Sequence, residues 1–253
     1  MLFTRVIPCL LLKNKGLVKT VKFKKPKYVG DPINAIKIFN EKEVDEMIFL
    51  DIDASIEKRG PNFKVIEEIA SECFMPLCYG GGIRNTDDIK RIFSTGVEKV
   101  ALNTQALKNA NMVKAAADIF GSQSIVVSID AKRNMFRKYD IYGGGGRIRY
   151  KTSPPEYAAR MEKMGAGEIM INSIDRDGTM VGYDLYLVKS VSDAVSIPVI
   201  ACGGAGKKED FSDAVKKAGA TAVAAGSFFV FHGKHRAVLI TYPSLTEIKL
   251  LFD

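Results

Sequence analysis

The sequence predicts a closed (β/α)8 TIM barrel built from two similar (β/α)4 halves. Three observations carry this. Short apolar runs alternate with longer amphipathic segments along the whole of its 253 residues. Eight such strand–helix units in about 250 residues is the size of this barrel. The chain also repeats itself: Cys78-Tyr79-Gly80-Gly81-Gly82-Ile83 resembles Ala201-Cys202-Gly203-Gly204-Ala205-Gly206, with Gly203 lying 122 residues after Gly81. The same offset carries Glu46 onto Glu168 and Ile52-Asp53 onto Ile174-Asp175. A repeat of half the chain length means two related half-barrels. An open doubly wound sheet is the rival. It would show its glycine fingerprint at the first strand–helix turn, where this chain has only Gly16. A single barrel domain over residues 1–253 is expected.

The elements follow in order. Arg5–Leu12 reads as a strand, and Asp31–Glu43 as a helix with Asp31 as cap and Pro32 in its first position. Glu46–Ile52 is a buried strand, Asn62–Glu72 a helix and Met75–Tyr79 a strand. Thr86–Ser94 reads as a helix capped by Thr86, with Asp87 and Asp88 favourably placed in its first turn. Lys99–Leu102 is a strand, Gln105–Ile119 one helix and Ser124–Ile129 a strand. Arg133–Tyr150 breaks the rhythm and reads as a hairpin excursion around Gly143–Gly146. Helices at Pro155–Met164, Leu185–Ala194, Lys208–Lys217 and Ser244–Phe252 then alternate with strands at Glu168–Asn172, Pro198–Ala201 and Thr221–Ala225. The strands are apolar on both faces, as parallel strands covered by helices must be.

Composition narrows the function. A 47% hydrophobic content excludes a disordered chain, and four cysteines are too few for a disulfide scaffold. Cys9, Cys73, Cys78 and Cys202 lack paired C-x-x-C spacing and read as reduced thiols. No basic start leads into an apolar core of a signal peptide, and no run of about 20 apolar residues spans a membrane, so a cytoplasmic protein is expected. The formal net charge is +8, from 37 Lys+Arg and 29 Asp+Glu. Seven lysines fall in Lys13–Lys27 with no acid among them, leaving the rest of the chain 30 basic and 29 acidic residues. A solvated loop, a lid over an anionic ligand or a docking site for an acidic partner would each fit. Nucleic acid fits poorly, because the segment offers only Phe23 for base stacking.

In this barrel the chemistry lies at the C-terminal ends of the strands. Gly81-Gly82 follows strand 3 and Asn103-Thr104 strand 4; Gly203-Gly204 follows strand 7 and Gly226-Ser227 strand 8. Glycines let backbone N–H groups approach an anion, and small hydroxyls or amides add donors. Two matched pairs suggest two phosphate sites and a ligand with a phosphate at each end; tight turns alone are the alternative. Asp177-Gly178 follows strand 6 and faces the same mouth, as Lys19 in the lysine segment would. Asp130 ends strand 5 and is the candidate general acid/base, since partial burial lifts a carboxyl toward neutrality; a cap or salt bridge is its bland reading. The corresponding strand end in the first half carries Leu11, which cannot transfer a proton. At the other end of the barrel Arg5, Glu46, Lys99 and Glu168 each begin a strand. Pointing inward, they would form a charged ring, either purely structural or a gate on a pore.

Together, Ile7-Pro8-Cys9-Leu10, Phe49-Leu50-Asp51-Ile52-Asp53-Ala54-Ser55, Gly80-Gly81-Gly82-Ile83-Arg84, Asn103-Thr104, Ser128-Ile129-Asp130-Ala131-Lys132-Arg133, Asp175-Arg176-Asp177-Gly178-Thr179 and Gly203-Gly204-Ala205-Gly206 resemble the cyclase subunit of imidazole glycerol phosphate synthase. The resemblance covers essentially the whole chain. It implies a barrel that docks a glutaminase subunit on its bottom face as a heterodimer. Ammonia would pass the Arg5–Glu46–Lys99–Glu168 gate to a bis-phosphate ribulosyl substrate, with no metal and no organic cofactor. The chain departs from that family in two ways that bear on catalysis. The family uses two aspartates where this chain has Asp130 and Leu11, and its usual threonine after strand 6 is Asn172. The segment Ala224–Val238, with Thr241-Tyr242-Pro243, is similar to a paralogous branch associated with surface polysaccharides such as lipopolysaccharide. That branch implies ammonia supply to a separate sugar amidotransferase that makes an acetamidino group. The competing expectations are a histidine-pathway cyclase and a non-catalytic scaffold that activates its glutaminase.

Overall fold

The computed structural model describes residues 4–253. Eight strands alternate with helices and close into a barrel: Arg5–Lys13, Met47–Asp51, Leu77–Gly80, Lys99–Leu102, Ile125–Arg133, Glu168–Ser173, Val199–Cys202 and Ala222–Ala225, here β1 to β8. Every neighbouring pair is parallel. The ring closes where Arg5–Pro8 of β1 pairs with Ala222–Ala225 of β8. Because successive side chains alternate across a strand, each strand feeds two separate apolar cores. Val6, Leu10 and Leu12 of β1 face the helices, in one continuous cluster with Phe39, Phe49 and Phe211. Ile7 and Cys9 face the lumen, where they meet Ile48, Cys78, Met170, Ile200 and Ala224. The lumen is a packed apolar shaft between two polar ends.

Local sequence explains most boundaries. The helix Pro32–Glu41 starts at Asp31, whose carboxylate accepts from the Asn34 N–H, with proline in the first turn. The cap of Thr86–Phe93 is Asn85, not Thr86: Asn85 is extended and its side chain accepts from the Asp88 N–H at 2.9 Å, so Thr86 is already helical. The expected helix Gln105–Ile119 is two helices, Thr104–Lys108 and Asn111–Phe120. Asn109 breaks it: its backbone is extended, and its side chain accepts from the Asn111 N–H at 3.1 Å, a local turn that competes with the helix.

The largest departure is the lysine segment. It is not a loop but two antiparallel strands, Gly16–Val21 and Lys24–Gly30, the first paired with β1. Its turn residues Lys22 and Phe23 have φ of 54° and 59°. Two consecutive positive φ values are what a tight two-residue hairpin turn needs. Asn-Gly normally marks it, and Lys-Phe gives no such signal. The excursion expected at Arg133–Tyr150 is present: Tyr139–Gly143 pairs with the extended end of β5, and Ile148–Tyr150 pairs with Tyr139–Gly143. After β8 come a short helix, Ser227–Val230, and a small hairpin pairing Phe231 with Val238. No helix among the described residues is long and apolar enough to cross a membrane.

Candidate active site and barrel gate

The C-terminal ends of the strands surround a cavity of about 260 Å³. Every residue expected at the mouth lines it: Asp130, Leu11, Lys19, Gly81, Gly82, Asn103, Thr104, Asp177, Gly178, Gly203, Gly204, Gly226 and Ser227. The repeat is visible in the backbone. Gly81 and Gly203 have φ of 120° and 84°, and Gly82 and Gly204 have 73° and 119°. A Cβ on Gly81 would stand 2.5 Å from the Asp51 carbonyl, and one on Gly203 would stand 2.4 Å from Asn172 Oδ1. Only glycine fits this turn in either half. Asn103 and Thr104 are more occupied than their residue types suggest. Asn103 Nδ2 donates to the Ser128 and Tyr142 carbonyls at 3.0 and 3.2 Å, and Thr104 Oγ1 accepts from the Gly144 N–H at 2.9 Å. Their side chains fasten the hairpin arm.

Asp130 sits at the cavity floor. Asn172 Nδ2 donates to its Oδ1 at 3.4 Å. Burial pushes its carboxyl up to about 7, against the Asn172 bond, and Asp177 adds like charge. A carboxyl poised there can both give and take a proton near neutral pH. Asn172 Oδ1 is buried and has no hydrogen-bond partner. Leu11 lines the same cavity from β1, so the second carboxylate that a two-acid mechanism needs is replaced by an apolar side chain.

Lys19 lies inside the mouth, contrary to a solvated lysine loop. It is buried, and its Nζ donates to the Cys9 carbonyl at 2.7 Å. Burial pushes its pKa down despite Cys9 and Asp177. Gly226 makes room for it, since a Cβ there would stand 1.9 Å from Lys19 Nζ. Asp177 holds the lysine hairpin closed. Its Oδ2 accepts from Thr20 Oγ1 at 2.8 Å and from the Phe23 N–H at 3.3 Å, and its carbonyl accepts from the Lys22 N–H at 2.9 Å. Burial raises its pKa.

One element escaped sequence reasoning. Arg59 grips Asp51 with two guanidinium nitrogens at 2.8 Å each, and its Nε donates to Glu57 at 2.6 Å. The Asp51 bond is the first reason that its pKa rises. The fork holds the turn after β2, where Asp51 also accepts from the Ala54 N–H at 3.2 Å. An arginine eight residues after an aspartate gives no periodic signal.

At the opposite end the structure brings together Arg5, Glu46, Lys99 and Glu168, the four residues expected to form a charged ring. Arg5 bonds both Glu46 and Glu168. Lys99 Nζ reaches Glu46 at 3.1 Å and Glu168 at 3.0 Å. The two carboxylates are buried and shared between two cations in a closed ring. Burial alone would lower the pKa of Lys99, yet Glu46 and Glu168 outweigh it and raise it. Arg5 is raised in the same way. Among the described residues no group of three or more His, Cys, Asp and Glu could hold a metal ion.

Comparison with known proteins agrees with this architecture. Residues 5–236 match the family described as histidine biosynthesis protein. A protein of Pseudomonas aeruginosa, provisionally named an imidazole glycerol phosphate synthase subunit, is 57% identical over 244 residues, 96% of this chain and 97% of its own length. A Vibrio vulnificus protein with a name of the same kind is 49% identical over 250 residues, 98% of this chain and 96% of its own. The imidazole glycerol phosphate synthase subunit of Alkaliphilus metalliredigens is 42% identical over 232 residues, 92% of each chain. With the barrel, the duplicated mouth and these relatives in hand, the chain belongs to the histidine biosynthesis family, with the cyclase-type subunits of imidazole glycerol phosphate synthase.

Proposed function

We propose that this chain conducts ammonia from a glutaminase subunit through its barrel to a separate sugar amidotransferase that builds an acetamidino group on a surface-polysaccharide sugar. On this reading its own cyclase chemistry is lost. The observation that carries it is Leu11, which faces the cavity where the second acid would stand opposite Asp130. The resemblance implies a catalytic pair of aspartates, and one carboxyl cannot serve both as acid and as base in the same step.

The residues divide the work along the axis. The glutaminase docks at the bottom, and the Arg5–Glu46–Lys99–Glu168 ring opens to admit ammonia. Above the ring the lumen is lined by Ile7, Ile48, Cys78, Val126, Met170 and Ile200. A dry apolar shaft takes a neutral molecule and rejects an ammonium ion, which would leave its hydration shell uncompensated. Asp130 and Asn172 meet ammonia at the top. The turns at Gly81-Gly82, Asn103-Thr104, Gly203-Gly204 and Gly226-Ser227 hold a phosphorylated ligand, with Lys19, Asp177 and Gly178 closing over it.

A direct assay tests this. The chain is supplied with ammonium salt and the bis-phosphate ribulosyl substrate of the family. No imidazole glycerol phosphate is expected, and measurable formation overturns the reading. The histidine-pathway cyclase is the second reading, favoured by the Asp130 carboxyl near 7 and the intact turns of both halves; product formation in that assay would establish it.

A further inference from the structure

We propose that the mouth of the barrel is itself a docking face, and that the enzyme consuming the ammonia covers it with an acidic surface. This rests on the function proposed above and says where that partner sits. The first observation is the placing of exposed apolar side chains. Met135 is 93% exposed, Phe136 80%, Tyr186 72% and Val181 64%. All four lie on segments that follow a barrel strand at its C-terminal end. None of them lines the cavity, so a small ligand does not explain them. The two segments that bear them touch: Tyr186 stacks on Tyr139, ring centroids 6.2 Å apart, and Tyr139 Oη donates to Asp184 at 2.8 Å. This ties the hairpin arm that bears Met135 and Phe136 to the loop and helix after β6. Single exposed apolar residues are ordinary; a cluster rimmed by charge marks an interaction site.

The second observation is charge. Residues 13–27 and 132–151 carry 14 of the 37 basic residues and one of the 29 acids, leaving 23 basic and 28 acidic residues for everything else. Both segments stand at the mouth. Lys22, Lys24, Lys25, Arg137 and Lys138 have no carboxylate within ion-pair distance among the described residues. A basic rim around apolar anchors complements an acidic protein surface, which it would also attract from a distance. The third observation is the apolar lumen, whose upper end meets the cavity at this face and which the proposed function makes the route of ammonia. Ammonia leaving it into water is diluted and protonated, so an acceptor enzyme gains only by sealing the opening. Single-stranded nucleic acid, for which Phe136 and Tyr186 offer stacking faces, is the other candidate; the acceptor enzyme is favoured because the aliphatic Met135 and Val181 share the patch and the apolar lumen ends beneath it.

The test uses the full chain with its glutaminase and the sugar amidotransferase of the same organism. Met135→Asp with Phe136→Asp is expected to weaken binding of the amidotransferase at least tenfold. Glutamine-driven amidation should fall with it, while amidation driven by ammonium salt stays unchanged. A photo-crosslinking residue at position 136 of the otherwise native chain should capture the amidotransferase, a readout that does not depend on how the double variant folds. Undiminished binding by a folded double variant, with no crosslink, overturns the docking face and leaves the function standing. No binding by the native chain, with no glutamine-driven amidation, overturns both. Capture of a labelled single-stranded RNA at position 136 in place of the amidotransferase also overturns the proposal.

Discussion

A single carbon skeleton, that of Leu11, separates the two halves of a duplicated site. Its partner position, Asp130, is held near neutrality by burial, and the contrast gives two predictions. Leu11→Asp should create or raise imidazole glycerol phosphate formation from ammonium salt, measured by product absorbance. No gain would mean that the substrate itself has changed. Asp130 also leaves a mark on stability. Its folded pKa lies above the unfolded carboxylate value, so the folded state holds the proton more tightly. Its contribution is fully present below about pH 4 and is lost as pH rises through 7. Asp130→Asn should therefore gain on the native chain by up to roughly 4 kcal/mol between pH 4 and pH 8, read from urea midpoints. Curves that stay parallel across that range would refute the buried acid. Residues of this kind were legible in the sequence because they end strands, and strand ends are fixed by the apolar run before them. Lys19 was legible as a residue of the mouth but not as buried. Its burial depends on Gly226, more than 200 positions away.

At the scale of elements, the lysine hairpin is the piece that sequence patterns concealed, and its closure is local chemistry. Thr20, Lys22 and Phe23 all bond Asp177. Thr20→Ala or Asp177→Ala should free the hairpin, and trypsin should then cut after Lys22 or Lys24 several-fold faster than in the native chain while the barrel survives. Equal cutting rates would show that the hairpin is held by its pairing with β1 alone. Gly226→Ala, at an ordinary φ of −115°, tests the other side of the mouth. The new methyl should expel the Lys19 ammonium, exposing it to acetylation detected by mass spectrometry. An unchanged Lys19 would mean that its loop moves to make room. The barrel strands and most helices were readable because their apolar periodicity and caps agree. The split at Asn109 and the turn at Lys22-Phe23 were not, because each depends on one residue's local geometry rather than on a pattern.

The barrel is polar at both ends and apolar between. The ring at the bottom places two buried carboxylates against two cations, so deleting one cation leaves charge uncompensated. Lys99→Ala should cost about 2–4 kcal/mol of stability, measured by denaturant unfolding, and Lys99→Glu should abolish glutamine-driven product formation while glutaminase docking persists. Retained transfer through the reversed ring would show that ammonia takes another route, and lost docking would mean that the ring is part of the interface. The ring's residues were legible because each stands at the start of an apolar run; that they close on one another required the fold. The distribution of charge has a consequence of its own. Both basic arms stand at one end, and the remainder of the chain carries more acids than bases. The barrel is thus a permanent dipole with its positive pole around the mouth. In solution it orients before it touches: an anionic ligand or acidic partner experiences a torque that turns the open end toward it, most strongly at low ionic strength.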